Sequence, residues 1–224
     1  MHSLNCSITN SKNMPTSYVE NIPTIVKIIQ SISPKRILDL GIGNGKYAFL
    51  AKEYLENVII DGVEAWQPYI RETQKSIYNT IINKDISSID FGVHADYDLY
   101  LMIDVIEHFD KEVGYKILRS VKKPFLISTP LEDYRAEYEN PYENHKSHWV
   151  FSDFAEFNAV NYSNYLSTIA LLNPPKSFFS TGSFSKESDM ELRIVKLQTD
   201  LNEIHMSKLW KIRSLFRKLI PSRK

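Results

Sequence analysis

The sequence predicts an α/β fold built on a doubly wound, mostly parallel sheet, and two patterns lead to this prediction. Short aliphatic runs alternate with segments of helical periodicity from residue 19 to residue 130. A glycine-rich stretch at 41–45 directly follows the first aliphatic run. Strands separated by helices pair in parallel through crossover connections, so helices cover both faces of the sheet.

The predicted elements follow one another in a regular order. A helix over 19–32 has isoleucine and valine at helical spacing, and Pro34 ends it. The aliphatic runs predict five strands, at 36–40, 58–65, 80–86, 97–106 and 124–130. Helical spacing predicts three further helices, at 46–55, 68–78 and 111–121.

Composition limits the class of protein. A chain of 224 residues that is 43% hydrophobic and 24% charged suits one folded domain with a modest appendage. The single cysteine, Cys6, cannot form an internal disulfide, which is typical of a reducing compartment. No run of about 18 apolar residues and no signal-peptide pattern is present. We therefore expect a cytoplasmic protein.

The charge distribution predicts three regions: a flexible N-terminus at 1–17, a folded domain over 18–186 and an amphipathic helical tail over 187–224. Residues 208–224 carry seven Lys and Arg and no acid, so residues 1–207 carry 20 basic and 27 acidic side chains. A basic, Trp-bearing amphipathic helix is typical of peripheral contact with an anionic membrane, here at its inner face. The apolar stripe earlier in the tail suits a homodimer seam. The acidic body argues against a nucleic-acid partner.

The stretch "LDLGIGNGKY" places three glycines between the first strand and the next helix. Glycine tolerates positive φ and lets a ligand approach the backbone, and ligands of open α/β sheets bind beyond the carboxyl ends of the strands. Lys46 stands where a dinucleotide fingerprint has its third glycine, and no lysine followed by serine or threonine is present, as a phosphate-binding loop would need. Glu64, which ends the second predicted strand, could accept both hydroxyls of a ribose. The turn therefore predicts a site for an adenosine ligand.

These motifs, followed in order by "DGVEAW", "NKDI" and "DLYLMIDVIEHF", resemble the class I S-adenosylmethionine-dependent methyltransferases over about residues 15–180. The chain is also similar to a bacterial subgroup with a stretch like "MPTSYVENIP" before the first helix and one like "NPYENHKSHW" in the later half. The resemblance implies seven strands, the last two at 164–173 and 177–184, and S-adenosylmethionine (SAM) as the cofactor.

The resemblance also implies the role of each part of the cofactor site. The glycine turn would lie under the methionine part, Glu64 would hold the ribose, and Asp104 would face the cofactor near the methyl group. The implied cofactor-binding residues are Asp39, Gly41, Gly43, Asn44, Gly45, Glu64, Ala65, Asp85, Ile86 and Asp104.

Candidate catalytic groups come from "DVIEHF" and "NPYENHKSHW". Two carboxylates and two imidazoles could hold Mg²⁺, Mn²⁺ or Zn²⁺, in an arrangement similar to that of the small-RNA 2′-O-methyltransferases and the ubiquinone-pathway O-methyltransferases. Without a metal, His145 or His108 could act as a general base beside Asp104, and a structural role is the third alternative. The candidate metal ligands are Asp104, Glu107, His108 and His145.

Transfer of a sulfonium methyl is a direct displacement, so catalysis depends mainly on positioning and on the exclusion of water. We expect O-methylation, rather than N-methylation, of a small-molecule or glycan acceptor, in cell-envelope polysaccharide or secondary metabolism. An RNA-modifying methyltransferase and an inactive binding module of the same fold are the alternatives. The intact glycines and Glu64 argue against the inactive module.

Overall fold

The computed structural model describes residues 16–132 and 140–179. Their strands are β1 (Arg36–Leu40), β2 (Ile59–Val63), β3 (Thr80–Ile82), β4 (Leu99–Ile103), β5 (Phe125–Pro130), β6 (Val160–Asn161) and β7 (Ser167–Leu172). Their α-helices are α1 (Ile22–Ile32), α2 (Lys46–Tyr54), α3 (Glu72–Ile77) and α4 (Lys111–Ser120).

The seven strands form one sheet in the order β3-β2-β1-β4-β5-β7-β6. The pairs among β1 to β5 are parallel, and β7 is antiparallel to both β5 and β6. Strand order switches between β1 and β4, and Asp39 on β1 aligns with Gly62 on β2 and Leu101 on β4. The carboxyl ends of these strands therefore meet at one edge, where such sheets bind ligands.

Each face of the sheet carries its own apolar core. Side chains alternate along a strand, so Leu38 and Leu40 of β1 pack in one core while Ile37 packs in the other. Burial on both faces explains why β1 is an almost unbroken aliphatic run in the sequence. The sequence-based prediction of a doubly wound, mostly parallel sheet is confirmed.

Several predicted elements are shorter in the structure than in the sequence pattern. The strand expected over 80–86 ends at Ile82, and a 3-10 turn begins at Ile86. The helix expected over 68–78 is a 3-10 turn at Gln67–Tyr69 followed by α3, because Ile70 and Arg71 have extended backbones. The strand expected over 97–106 ends at Ile103, because Asp104 has a φ of 54°. Asp104 therefore lies in the turn directly after β4, rather than in the strand itself.

The prediction for the last two strands is half right. The stretch 164–173 contains β7, as expected. The other strand is β6, whereas Lys176–Phe179, which overlaps the start of the predicted 177–184, forms a 3-10 turn. A two-residue strand is too short to give the alternating pattern that identifies strands in a sequence.

Several expectations lie outside the described residues. These are residues 1–15 of the flexible N-terminus expected over 1–17, the end of the domain at 186 and the helical tail over 187–224. Within residues 16–132 and 140–179, the helices are all too short or too polar to cross a lipid bilayer.

Candidate functional site

A cleft of about 640 Å³ opens at the carboxyl ends of β1, β2 and β4. Its walls are the segment at 16–18, the glycine turn, the turn after β4 and residues 140–146. Nine of the ten predicted cofactor-binding residues line it: Asp39, Gly41, Gly43, Asn44, Glu64, Ala65, Asp85, Ile86 and Asp104. The tenth, Gly45, caps α2 and faces α3, where an added Cβ would lie 2.9 Å from Ile77 Cδ1.

The glycine turn has a backbone that side chains would not tolerate. Gly41 has a φ of 85° and Gly43 a φ of 48°. A Cβ on Gly41 would lie only 2.5 Å from Val105 Cγ2. The turn is held from outside by Gln74, whose Nε2 donates to the Gly43 carbonyl oxygen at 2.8 Å. The backbone of Gly41 and Gly43, which has no side chains, is thus exposed to the cleft in one fixed conformation.

Asp39 lies at the floor of the cleft and is 5% exposed. The Tyr78 hydroxyl donates to Asp39 Oδ2 at 2.5 Å. Burial raises the pKa of Asp39 to about 7, and the Tyr78 hydrogen bond limits the rise. Asp39 is therefore partly protonated near neutral pH. Any hydrogen-bond donor or cation that enters the cleft beside it should lower its pKa.

Glu64 follows β2 and is 7% exposed. Its Oε1 accepts the Trp66 backbone N–H at 2.8 Å, which fixes the carboxylate at the edge of the cleft. Burial raises the pKa of Glu64 to about 7, against the effect of this bond. Asn83 Nδ2 donates to the Glu64 carbonyl oxygen at 2.7 Å and so ties the end of β2 to the turn after β3.

The Asp39 carboxyl should stabilise the ligand-free protein progressively less as pH rises from about 4 to 8. A carboxyl whose folded pKa is about 7, against an unfolded value of 3.8, holds more protons folded than unfolded between those values. The stability that Asp39 contributes is therefore complete below about pH 4 and is lost as pH rises through about 7. Melting temperatures across this range should fall less steeply for Asp39→Asn than for the unaltered protein. Parallel curves for the two proteins would contradict the assignment to Asp39.

The segment at 16–18 closes one end of the cleft through Lys46. The Lys46 ammonium donates to the Ser17 carbonyl oxygen at 2.8 Å and to Ser17 Oγ at 2.9 Å. Burial lowers the pKa of Lys46, and the nearby Asp104 carboxylate opposes that shift. Lys46, at the position that excludes the dinucleotide fingerprint, thus links the glycine turn to the chain before α1.

Glu107, His108 and His145 come together on the other side of the cleft. Each offers one ligand atom, and these atoms lie within 4.8 Å of one another. Glu107 Oε2 and His108 Nδ1 are buried and make no hydrogen bond within the described part of the chain. One carboxylate and two imidazoles are a donor set that suits a divalent transition metal.

Asp104 is outside this group, which corrects the four-ligand set expected from the sequence. Its Oδ1 instead accepts a hydrogen bond from the Ser128 hydroxyl at 2.8 Å. Three protein ligands, rather than four, are therefore brought together.

Burial sets the ionisation of this cluster without a metal. The pKa of Glu107 is raised well above its ordinary value by burial and by the negative charge of Asp104. The pKa of His108 is lowered to about 4, first by burial and then by the proximity of His145. The two imidazole rings meet edge to face, with centroids 4.9 Å apart. His108 is therefore neutral at pH 7, and His145 lies at the cleft wall beside it.

The aromatic residues of the later half divide between the cleft and the core. Tyr142 lines the cleft and packs against Trp66, with ring centroids 6.4 Å apart. Trp149 and Phe154 are fully buried and stack at 5.5 Å, so they hold the segment after β5 on the core. His148 Nε2 bonds the Leu131 carbonyl oxygen at 2.9 Å and does not line the cleft.

Sequence reasoning missed residues that do not line the cleft but hydrogen-bond to the residues that do, or to their partners. Gln74 and Tyr78 on the α3 side hold the glycine turn and Asp39, and Asn21 joins a buried polar network behind Asp104. Asn21 is fully buried, although its motif "VENIP" gives no sign of that. A polar residue directly before an amphipathic helix was the available signal, but it equally predicts an ordinary helix cap.

The sequence matches no protein-family model and no curated protein at a significant level. Solved structures do match. A candidate O-methyltransferase of Nostoc punctiforme PCC 73102 aligns with a TM-score of 0.53 at 17% identity, over 68% of this chain and 55% of its own. The N-terminal domain of EvdMO1 with S-adenosylhomocysteine (SAH) bound aligns with a TM-score of 0.52 at 16% identity, over 71% of this chain and 83% of its own.

An O-methyltransferase family protein of Burkholderia thailandensis also has a TM-score of 0.52, at 11% identity, over 68% of this chain and 55% of its own. The chain thus spans about half the length of the Nostoc and Burkholderia proteins. With the strand order described above, these similarities show that the chain has the class I methyltransferase fold. The prediction made from the glycine turn and the ordered motifs is confirmed at the level of the fold.

Proposed function

We propose that the protein transfers a methyl group from SAM to a hydroxyl of a small-molecule or glycan acceptor. The observation that carries this proposal is the pairing of the bare glycine turn with the Glu64 carboxylate, both on one cleft at the switch point of the sheet. A carboxylate at the end of β2 is placed to accept the two ribose hydroxyls, and the turn leaves room for the rest of the cofactor. The EvdMO1 domain, which has this fold, was crystallised with SAH and D-fucose.

The acceptor would lie between the cofactor and the cluster of Glu107, His108 and His145. A hydroxyl is a weak nucleophile, so a base that removes its proton helps the displacement. His145 is our candidate for this base, because His108 beside it is buried and has its pKa lowered to about 4. A divalent ion held by the same three residues is the alternative, since it would itself lower the pKa of a bound hydroxyl.

The charge of the cleft supports a small or neutral acceptor over RNA. Among the described lining residues, the acids outnumber the lysines, which are Lys46 and Lys146. Phosphate groups of a nucleic acid bind to basic surfaces, and their affinity depends on those contacts. The acids that line the cleft are Asp39, Glu64, Asp85, Asp104, Glu107, Asp110 and Glu143.

We further propose, on composition alone, that the basic tail at 208–224 contacts an anionic membrane surface, or that the stripe before it forms a homodimer seam. Membrane contact would place the catalytic domain near acceptors at that surface, whereas a homodimer seam would join two catalytic domains.

Glu64→Ala tests the cofactor site. Loss of the carboxylate removes two hydrogen bonds to the ribose, so SAM affinity should fall by about 1 to 3 kcal/mol. Calorimetric titration of the purified protein with SAM measures this change. The matched control is Glu53→Ala, since Glu53 is exposed on α2 and its loss should leave SAM affinity unchanged.

The same titrations distinguish an enzyme from an inactive module. Incubation with radiolabelled SAM and a panel of neutral sugars and phenols should yield a labelled acceptor and SAH. SAM affinity that is unaffected by Glu64→Ala would contradict the cofactor site. SAM binding with no transfer to any acceptor in the panel or in a cell extract would favour the binding module.

A further inference from the structure

The Asp104 carboxylate is held from behind by a hydroxyl of the neighbouring strand. Ser128 lies on β5 and is fully buried, and its Oγ donates to Asp104 Oδ1 at 2.8 Å. The backbone joins the same two residues, because the Asp104 N–H donates to the Ser128 carbonyl oxygen at 2.7 Å. Asp104 is thus tied to β5 twice, although its φ of 54° turns the chain out of β4.

Ser128 is in turn part of a buried polar network that reaches the start of α1. Asn21 Nδ2 donates to Ser128 Oγ at 3.3 Å and to Ser167 Oγ at 2.8 Å. Asn21 Oδ1 accepts from Asn164 Nδ2 at 2.8 Å. Both hydrogens of the Asn21 amide group and its oxygen therefore have partners, although the side chain is fully buried.

The direction of every bond in this network is fixed by two backbone groups. Asn164 Oδ1 accepts the N–H groups of Leu166 and Ser167 at 2.8 and 2.9 Å. A backbone N–H can only donate, so the Asn164 amide nitrogen must face Asn21. The Asn21 nitrogen then faces the serines, and it donates to Ser128.

The hydroxyl of Ser128 has a single hydrogen. Because Asn21 donates to the Ser128 oxygen, that hydrogen is left for Asp104. Oδ1 of Asp104 is therefore always an acceptor in this arrangement, and the carboxylate is oriented before any ligand enters the cleft.

We propose that Ser128, oriented by Asn21, is a positioning residue that holds the Asp104 carboxylate in its cofactor-binding orientation. The inference rests on the proposed function, because Asp104 lines the cleft in which we place SAM. A positively charged cofactor binds an oriented carboxylate at a lower entropic cost than a mobile one. The network therefore contributes to cofactor affinity although neither Ser128 nor Asn21 lies against the cleft.

Ser128→Thr and Ser128→Val test this role as a matched pair. Threonine and valine add the same volume and differ only in the hydroxyl, so any strain of the extra methyl group is common to both. Calorimetric titration with SAM should show the valine variant binding about tenfold more weakly than the threonine variant. Thermal melting of the two variants reports how far each fold is destabilised. The control is Thr168→Val, which removes a buried hydroxyl of β7 that bonds the Trp149 carbonyl oxygen and takes no part in this network, and it should leave SAM affinity unchanged.

The same two Ser128 variants, each combined with Asp104→Ala, show whether Ser128 acts through Asp104. When Asp104→Ala is present, the threonine and valine variants should bind SAM equally, because their common target is gone. Equal SAM affinity of the pair with Asp104 intact would overturn the inference, as would a difference that persists with Asp104→Ala. If the unaltered protein does not bind SAM, the proposed function fails and the inference with it. Binding of SAM by the unaltered protein, with no difference between the pair, overturns the inference alone.

Discussion

Gly41→Val is expected to abolish SAM binding. The φ of 85° at Gly41 is one that a β-branched residue does not adopt without strain. An added Cβ would also lie 2.5 Å from Val105 Cγ2, in the turn that leads to the acceptor side of the cleft. Together these effects displace the backbone on which the cofactor would rest. Calorimetric titration should show a loss of roughly 100-fold or more in affinity, equivalent to about 3 kcal/mol.

A second glycine variant separates loss of the site from loss of the fold. Gly43→Val adds a side chain at a cleft-lining residue with a φ of 48°, and it should also prevent binding while the protein still melts cooperatively. The control is Gly92→Ala, in an exposed turn that does not line the cleft. SAM affinity retained by both Gly41→Val and Gly43→Val would show that the cofactor does not bind on this turn.

His145→Ala should lower turnover by about 10²- to 10⁴-fold, the range typical of a lost general base. SAM affinity should change little, because His145 lies in the segment over the acceptor side of the cleft and not at the glycine turn. The measurement is the rate of methyl transfer from labelled SAM at saturating cofactor, alongside a SAM titration. An equal loss in SAM affinity and in turnover would mean that His145 acts on the cofactor or on the fold.

His148→Ala is the control for this experiment, since its ring bonds the Leu131 carbonyl and does not line the cleft. Turnover of that variant should stay within a few-fold of the unaltered rate. Chelation separates the base from a metal held by Glu107, His108 and His145. Activity that survives a chelator supports the base. Activity that is lost and then restored by one divalent ion would contradict it in favour of the metal.

The elements that form the proposed cofactor site were predictable from the sequence because local physics determines them. A buried parallel strand must be aliphatic, and a turn with positive φ at Gly41 and Gly43 needs glycine, so both features leave a direct pattern. The acid at the end of the second strand is predictable from its place, because a carboxylate there can accept the hydroxyls of a ribose. Nine of the ten cofactor-binding residues that the resemblance implies line the cleft.

The remaining features of the site depend on contacts between residues that are far apart in the sequence. Asn21 and Ser128 are 107 residues apart, and nothing local to either predicts their bond. The same applies to Tyr78 and Asp39, which are 39 residues apart. Its place in "DVIEHF" and the resemblance to known metal sites predict Asp104 as a metal ligand, whereas its Oδ1 accepts from Ser128 on β5 and it lies outside the group of Glu107, His108 and His145. Registers between strands decide such contacts, and the sequence pattern does not specify them.

A crystal structure of the full chain grown with SAH is the most direct test of the cofactor site. The account predicts the adenosine in the cleft at the ends of β1 and β2, with both ribose hydroxyls within about 3 Å of the Glu64 carboxylate. It also predicts the homocysteine part against Gly41 and Gly43, with its sulfur facing the side of the cleft lined by Asp104 and His145. SAH bound elsewhere, or a ribose with no contact to Glu64, would contradict it.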